Sequence, residues 1–475
     1  MKRTFLIAFL SILSLKIMAQ TESLARHNAV NDSMILLYNQ RDFKSIHKFL
    51  HPEFQAKMSE AQLVAFFEKN VFPAAGKVVK STHLKPKKKG ELYRWTGEKA
   101  ELQLSLFVDS NKLIYGFLFQ PFMEETSAQK RISSTNNPMK TALDKMVDSI
   151  ARTHVDFVDK AGLSIGIIKD GKTNFYHYGE MDKVTHQQPD NQTFYEIGSV
   201  TKTFTGVLLA KAILDKKLSL EDDIRKYLPE GYSNLQFKNQ PILIKHLASH
   251  TSRLPSFPVD DITSKKDYDA QNPYKHYTKE MVLAHLRTIK LDTTPGIQSE
   301  YSNFATGLMG IILQKVYQKT YDDLLKTHIT RPLSMEATKI EINEKEALNF
   351  AKPYDEKGVL THHWDLTGLA AAGAIRSNVV DMLTYTQANL SPSTEALKVA
   401  QQPIFEVSKE RSIALYWQLT TTPKGQLMTW HNGGTGGFST FCGFVKAKNI
   451  GLVVLSNSSE NITDKAIELL GMIGL

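Results

Sequence analysis

Apolar residues recur at two different spacings along the first 125 residues of this 475-residue chain. Residues 22–50 carry apolar side chains at helical intervals, which predicts one long helix. Ser59 and Gln62 have the spacing of a helix-capping pair, so a second, short helix is expected over residues 59–67.

Three apolar runs follow these helical segments. They read GKVVKSTHL, ELQLSLFVDS and KLIYGFLFQPF, and each predicts a β-strand. The turn residues 109–111 predict that the last two strands form a hairpin. Residues 20–124 are therefore expected to form a small α+β domain in which helices pack on a curved antiparallel sheet. This order of helices and strands resembles the cone-shaped nuclear-transport-factor-like domains. The role of this unit stays open.

The polar, aperiodic stretch ETSAQKRISSTNNPMK, residues 125–140, predicts a linker. Residues 141–475 have a different order, because strand-like runs stand at both ends of a largely helical middle. These runs read LSIGIIK, TNFYHYGEM, SIALYWQLT, GQLMTW, STFCGFVK and IGLVVLS. They predict a second α+β domain, with one antiparallel sheet and inserted helices.

Residues 1–19 have the pattern of a secretory signal peptide. A basic start, MKR, precedes the apolar run FLIAFLSILSL, and Ala19 precedes a plausible cleavage point. The run is too short for a good membrane span. Lys16 and Ile17 make the cleavage region imperfect, so an uncleaved anchor is the alternative. The mature protein is expected to be periplasmic or secreted, without an integral membrane segment.

Charge and cysteine content narrow the class of protein further. The formal net charge is +9, and removal of the three basic residues in the signal peptide leaves +6. The densest basic run, KPKKKG at residues 85–90, lies between strand-like stretches and predicts a solvated hairpin loop. No nucleic-acid partner is expected. Cys442 is the single cysteine, which excludes an internal disulfide, and its apolar surroundings predict a buried side chain.

The stretch GIIKDGKT, residues 166–173, matches the phosphate-loop pattern G-x-x-x-x-G-K-[ST]. That pattern binds phosphate where a glycine-rich loop opens a helix. Here apolar strand-like residues stand on both sides, and Asp170-Gly171 is a hairpin turn signal. The sequence therefore predicts a β-hairpin rather than a nucleotide site.

The stretch YEIGSVTKTF, residues 195–204, has Ser199 three residues before Lys202. Residues three apart share one face of a helix, and the apolar run that follows predicts a buried helix. Desolvation lowers the pKa of a lysine in such a helix and makes it a usable base for a serine nucleophile. S-x-x-K alone is also typical of a capping serine beside a surface lysine.

Three further stretches bear on that alternative. PGIQSEYSNFATGL contains Tyr301, which suits a proton relay, and Asn303, which suits binding of a substrate amide. WHNGGTGGF, residues 430–438, supplies glycines that permit close backbone approach and leave amide N–H groups free. In HLASHTSRLP, His250 is interpreted as a structural residue at the end of a helix.

The order S-x-x-K, Y-x-N and H-x-G resembles the penicillin-recognising serine hydrolase family of class C β-lactamases, D-alanyl-D-alanine peptidases and related esterases. The resemblance covers nearly all of residues 141–475. It extends to LSLEDDIRKYLPE, ILIKHLASHTSRLP, PGIQSEYSNFATGLMGIILQKV and HITRPLSM, which stand in family order. It implies a β-lactamase/DD-peptidase-like antiparallel sheet with a helical domain, preceded here by the small α+β unit.

The resemblance also implies roles for individual residues. Ser199 corresponds to the acyl-accepting nucleophile, and Lys202 and Tyr301 correspond to the groups that share proton transfer. Asn303 corresponds to the residue that binds the acyl side-chain amide. The backbone amides of Ser199 and Gly434 correspond to the oxyanion hole.

His431, Asn432, Gly433 and Gly434 are expected to bind substrate. His431 stands where β-lactamases usually carry the lysine of Lys-Thr-Gly. Histidine has an unperturbed pKa of about 6.5 and is mostly neutral at pH 7. Weaker recognition of a penicillin or D-alanine carboxylate is therefore expected, which puts efficient β-lactamase activity in doubt.

The sequence predicts a secreted serine hydrolase that needs no metal or cofactor and acts through an acyl-enzyme. Its expected partner is a small-molecule or peptide substrate, with peptidoglycan fragments as the first candidates. The alternative is a non-catalytic or weakly catalytic cell-wall or peptide-binding protein of the same fold. The joint presence of Ser199, Lys202, Tyr301 and Asn303 favours the enzyme.

Overall fold

The computed structural model describes residues 22–87, 90–122, 131–157, 159–257, 263 and 268–474. The chain divides into two units between Ser127 and Ala128, a point within the stretch expected to be a linker. The expected signal peptide, residues 1–19, lies outside the described residues, and the full set of domain boundaries stays a prediction. No helix in the described ranges is long and apolar enough to cross a membrane.

The first unit packs helices on a four-stranded antiparallel sheet with the strand order β1-β2-β3-β4. The strands are β1 (Val78–Lys87), β2 (Gly90–Gly97), β3 (Glu101–Val108) and β4 (Ile114–Pro121). The described helices are α1 (residues 22–39), α2 (Phe43–Lys48), α3 (Pro52–Gln55), α4 (Glu60–Phe66) and α5 (Phe72–Ala75), with a π-helical turn at Phe67–Val71. Tyr38, Phe67 and Trp95 are fully buried at the centre of its core.

Two expectations for this unit need correction. The helix expected over residues 22–50 is two helices, because Arg41 adopts a φ of 60° and Asp42 then caps α2 by accepting the Ser45 N–H. Three strands were expected, but β2 (GELYRWTG) is a fourth. Most of β2 is buried on both faces, so it lacks the apolar–polar alternation that identifies half-buried strands.

Other local expectations for the first unit are confirmed. The Ser59 hydroxyl and the Gln62 side chain form a reciprocal capping box at the start of α4. Asp109 shapes the β3–β4 hairpin, since its carboxylate accepts the N–H groups of Asn111 and Leu113, each at 2.8 Å.

The second unit is built around an eight-stranded antiparallel sheet with the order β11-β12-β13-β14-β15-β16-β5-β6. Strands of the unit, in chain order, are β5 (Leu163–Lys169), β6 (Lys172–Tyr178), β7 (Tyr195–Glu196), β8 (Gln236–Phe237), β9 (Gln240–Pro241), β10 (Arg376–Ser377), β11 (Phe405–Ser408), β12 (Arg411–Ile413), β13 (Gln418–Thr421), β14 (Leu427–Gly434), β15 (Ser439–Val445) and β16 (Ile450–Ser456). β7 pairs with β10, and β8 pairs with β9, in two small separate ribbons.

Helices cover both faces of this sheet. Those described are α6 (Ala142–Val155), α7 (Thr201–Leu214), α8 (Ile244–Ala248), α9 (Lys279–Leu286), α10 (Asn303–Tyr317), α11 (Tyr321–Leu325), α12 (Glu344–Ala347), α13 (Ala370–Gly373), α14 (Val379–Leu390), α15 (Glu395–Val399) and α16 (Thr463–Ile473). α6 and α16 pack together on one face, and α14 packs on the other against β5, β15 and β16. The α+β architecture expected from the sequence is confirmed.

Two sequence runs in this unit illustrate how turns decide the strands. SIALYWQLT is not one strand, because Ala414 N–H bonds to Trp417 O at 2.9 Å and the chain reverses between β12 and β13. GIIKDGKT is a β5–β6 hairpin whose turn residues, Asp170 and Gly171, have φ values of 52° and 71°. No helix follows this turn, so the interpretation as a hairpin is confirmed and the phosphate-loop alternative fails.

Candidate active site

Ser199 lies in the 3₁₀ turn Gly198–Val200, immediately before α7. α7 is apolar on nearly all sides and is enclosed by α10, α13 and α15. The side chains of its first turn are therefore buried, and Lys202 has no exposed surface. Lysine is almost never fully buried without specific partners.

The Lys202 amine has three close neighbours. Its Nζ lies 2.7 Å from Asn303 Oδ1, 2.7 Å from the Ala372 carbonyl oxygen and 3.0 Å from Ser199 Oγ. Burial holds the pKa of Lys202 well below its usual value, so the neutral amine is favoured. A neutral amine donates two N–H bonds to the two carbonyl oxygens and keeps one lone pair directed at the Ser199 hydroxyl.

Tyr301 completes the contacts of the Ser199 hydroxyl. Its phenol donates a hydrogen bond to Ser199 Oγ at 2.6 Å, and Lys202 Nζ lies 4.8 Å from its ring centre. The residue is 40% exposed, yet desolvation around the phenol raises its pKa above the usual value. Tyr301 is therefore a neutral donor at pH 7, and Ser199 Oγ–H is free to donate to Lys202.

The β14 glycines bring backbone amides to this hydroxyl. Gly198 has a φ of 49°, and a Cβ placed on it would lie 2.7 Å from the Gly434 nitrogen. Thr435 N–H bonds to Phe438 O, so by antiparallel alternation the neighbouring Gly434 N–H points away from β15. The Gly434 amide therefore lies next to the Ser199 turn with its N–H directed away from β15, a placement that would suit an oxyanion hole.

Gly433 serves the packing of the protein itself. A Cβ on Gly433 would lie 2.1 Å from the Ile197 carbonyl oxygen and 2.5 Å from Thr440 Oγ1. Any side chain there would push β14 away from the Ser199 turn. Gly433 also lines the cleft beside Ser199, and the expectation that it binds substrate stays a prediction.

His431 and Asn432 both make hydrogen bonds within the protein, and their expected part in substrate binding stays a prediction. Burial lowers the pKa of His431 to about 4, and its Nδ1–H donates to the Asn432 carbonyl at 2.6 Å. The ring is therefore neutral and presents Nε2 as an acceptor, which is buried and has no partner among the described residues. The Asn432 side chain donates to Thr463 Oγ1 at 3.0 Å, which ties β14 to α16.

Asn303 is the first residue of α10, and both the oxygen and the nitrogen of its side-chain amide are hydrogen-bonded. Its Oδ1 accepts from Lys202, and its Nδ2 donates to the Tyr274 hydroxyl at 3.3 Å. Ser302 caps the helix by accepting the Ala305 N–H at 2.9 Å. The structure thus brings Ser199, Lys202 and Asn303 into one hydrogen-bonded cluster with Tyr301.

The cluster opens into a cleft of about 270 Å³. Its lining residues are Ser199, Tyr301, Asn432, Gly433, Gly434, Ser439, Ser459 and Asn461. Sequence reasoning missed Ser439, Ser459 and Asn461. The polar run NSSEN directly after the strand IGLVVLS marks a loop at the end of a strand, and this signal could have pointed to Ser459 and Asn461. The described residues hold no cluster of His, Cys, Asp or Glu suited to a metal ion.

The fold is that of β-lactamases and DD-peptidases. The Beta-lactamase/D-alanine carboxypeptidase from Yersinia pestis, solved with citrate, superposes with a TM-score of 0.61 at 24% identity, covering 70% of this chain and 98% of that one. The octameric penicillin-binding protein homologue from Pyrococcus abyssi gives a TM-score of 0.60 at 23% identity, covering 70% and 76%.

The sequence profile of the Beta-lactamase family matches residues 147–471, and the chain belongs to this family. Protein flp of Staphylococcus aureus (strain MRSA252) is 28% identical over 334 residues, which are 68% of this chain and 65% of that protein. The Beta-lactamase of Escherichia coli (strain K12) is 26% identical over 357 residues, 66% of this chain and 89% of that protein. The resemblance to penicillin-recognising serine hydrolases is confirmed. The matched region of this chain spans just under two thirds of the length of Protein flp.

Proposed function

We propose that this chain is an exported serine hydrolase that acts on a peptide, amide or ester through an acyl-enzyme on Ser199. The observation that carries the proposal is the pair of contacts at Ser199 Oγ, 3.0 Å to Lys202 Nζ and 2.6 Å to the Tyr301 hydroxyl. A hydroxyl with a neutral, buried amine on one side and a phenol on the other is suited to deprotonation and attack.

Acylation follows from this arrangement. Ser199 Oγ attacks the substrate carbonyl carbon as its proton moves to the Lys202 lone pair. The carbonyl oxygen becomes an oxyanion, which the amides of Ser199 and Gly434 stabilise. The bond to the leaving group then breaks, and the proton held by Lys202 reaches the leaving atom through the Tyr301 hydroxyl.

Deacylation reverses these roles. A water molecule attacks the ester carbon and gives its proton to the Lys202–Tyr301 pair. The second tetrahedral intermediate collapses, the acid product leaves, and the proton returns to Ser199 Oγ. Because Lys202 must be neutral at the start of each half-reaction, its burial favours both steps.

The substrate side of the proposal rests on His431 and the cleft lining. A neutral imidazole at His431 offers no fixed cation to a substrate carboxylate. We expect substrates with an ester or amide at the leaving side to react faster than β-lactams, and peptidoglycan-derived peptides are the first substrates to examine. Export rests on the signal-like residues 1–19.

The proposal is tested by turnover of three substrate classes: a nitrophenyl ester, a D-amino-acid amide and a β-lactam. The purified protein is expected to give an initial burst equal to one product per active chain, and Ser199→Ala is expected to give none. Equal turnover by the variant would overturn the mechanism. Tight binding of a cell-wall peptide with no turnover of any class would favour the binding protein instead.

A further inference from the structure

The mechanism above assigns no role to His250, a buried histidine beside the site. His250 follows α8, is 1% exposed and has a left-handed backbone with a φ of 58°. Its ring centre lies 4.5 Å from that of Tyr301. Non-glycine residues adopt such a φ in only a few per cent of cases, although histidine does so more often than most.

His250 contacts the Tyr301 segment at three separate points. Its Nδ1 accepts the Ser302 backbone N–H at 3.2 Å, and its carbonyl oxygen accepts the Glu300 N–H at 2.7 Å. The ring packs on Tyr301, tilted by 33°. These contacts therefore fall on three consecutive residues, with Tyr301 in the middle.

Neighbouring residues extend this connection. Pro255 O accepts the Ser302 hydroxyl at 2.6 Å, and Ser256 O accepts the Asn303 N–H at 3.1 Å. The segment after His250 thus fixes the residues that follow Tyr301. His250 is the member of this segment that lies directly against the Tyr301 ring.

The protonation state of His250 is fixed by its partner. A backbone N–H only donates, so Nδ1 must carry the lone pair and Nε2 the proton. Burial keeps the pKa of His250 well below its usual value, and the titratable groups that face the ring, Lys202 and His431, lower it further. Protonation of Nδ1 would remove the acceptor for the Ser302 N–H.

We infer that His250 is a positioning residue, whose imidazole holds Tyr301 with its hydroxyl at hydrogen-bonding distance from Ser199. The inference rests on the proposed function, since it assigns a task to His250 in that same reaction. In the described contacts His250 touches Tyr301 and the residues on either side of it but not Ser199, so its effect on Ser199 passes through Tyr301 and Ser302.

The test compares acylation by a fluorophosphonate in wild type, His250→Gly and His250→Asn. Glycine and asparagine both tolerate the left-handed backbone, but only asparagine offers an oxygen that accepts the Ser302 N–H. We expect His250→Gly to slow acylation on the order of 10²-fold, the loss typical of a small misplacement of a reacting group. His250→Asn is expected to recover most of that rate. With a nitrophenyl ester as substrate, His250→Gly is expected to change kcat more than KM.

His246→Ala is the matched control. His246 is also buried, its Nδ1 accepts the Leu243 N–H at 3.1 Å, and its ring packs against Gly296 rather than Tyr301. Its loss should lower Tm without slowing acylation of the folded protein. The inference would be overturned if His250→Gly lost as much Tm as His246→Ala but acylated at the wild-type rate. It would also be overturned if His250→Asn acylated no faster than His250→Gly. Absence of labelling in wild type would instead overturn the proposed function.

Discussion

Two serines in the second unit have nearly the same partners. Ser199 Oγ lies beside a lysine amine and a tyrosine hydroxyl, and Ser164 Oγ lies 2.9 Å from His177 Nδ1 and 2.8 Å from the Tyr195 hydroxyl. The His177 ring in turn contacts Asn191 Oδ1 at 2.9 Å. Measured by these distances alone, the Ser164 cluster looks as much like a nucleophile with its base as the Ser199 cluster does.

The surroundings separate the two serines. Ser164 lies within β5, with β16 and β6 on either side, and has no exposed surface. Ser199 lies at a helix start, borders a cleft and has the Gly434 amide beside its own. Burial also lowers the pKa of His177 as it lowers that of Lys202, so a neutral base is common to both. Under the proposed function, access to the cleft and nearby backbone N–H donors decide which serine reacts.

The largest effect on acylation, apart from loss of Ser199 itself, is expected from Lys202→Met. Methionine fills similar space but cannot accept the Ser199 proton, and it leaves Asn303 Oδ1 and Ala372 O without their donor. The acylation rate should fall by about 10²–10⁴-fold, the usual contribution of a general base. Stopped-flow acylation by a nitrophenyl ester measures it. A loss of less than tenfold would show that Lys202 is not the base.

A smaller loss is expected from Tyr301→Phe. The change removes the hydroxyl that donates to Ser199 Oγ at 2.6 Å but keeps the ring against His250. We expect a decrease of about 10²-fold in kcat, with a larger decrease for poor leaving groups because they need the relayed proton. Substrates with leaving groups of graded pKa measure this. Equal loss across the series would contradict a relay through Tyr301.

The dependence on pH separates Lys202 from an ordinary lysine. Only its neutral form accepts the Ser199 proton, so acylation should fall by about tenfold per pH unit below its lowered pKa. In the unfolded chain the same lysine has an ordinary pKa of about 10.4. Between the lowered pKa of the folded protein and this value, the unfolded chain therefore binds more protons than the folded protein does. The free energy of unfolding should therefore rise with pH in that window, and Lys202→Met should reduce the slope. Urea unfolding at several pH values measures it, and an unchanged slope would contradict a lowered pKa.

Ser164→Ala is expected to have the smallest effect on acylation, namely none. The cost should appear in stability, because the variant leaves the His177 and Tyr195 polar atoms buried without the hydroxyl. A loss of about 1–3 kcal/mol is typical for such unsatisfied groups. Thermal unfolding and fluorophosphonate labelling of the same sample measure both quantities. Slower fluorophosphonate labelling of folded Ser164→Ala would contradict the claim that Ser164 has no part in acylation.

Sequence reasoning reached the parts of the site that depend on local spacing. Ser199 lies in the 3₁₀ turn immediately before α7 and Lys202 in the first turn of α7, three residues later. Gly198 and the glycines of β14 are recognisable in the sequence as positions where the backbone can approach closely. The Ala372 carbonyl could not be predicted, because a backbone acceptor brought in by tertiary packing leaves no mark on residue type. Tertiary packing also hid β2: because most of this strand is buried on both faces, its sequence lacks the alternation of apolar and polar residues that would have predicted it.

Tertiary context also set the state of the two histidines. His431 was expected to be mostly neutral from its ordinary pKa, whereas the structure adds burial that lowers its pKa to about 4. His250 was interpreted as a structural residue, and the sequence gave no sign of its contact with Tyr301. That contact joins residues 51 positions apart in the chain.

The central claim is that Ser199, and not the similarly bonded Ser164, is the activated nucleophile. The most direct measurement is the intact mass of the protein after exposure to a fluorophosphonate, followed by peptide mapping, for wild type, Ser199→Ala and Ser164→Ala. The account predicts one adduct on Ser199 in wild type and in Ser164→Ala, and none in Ser199→Ala. An adduct that persists in Ser199→Ala, or no adduct in the folded wild type, would contradict it.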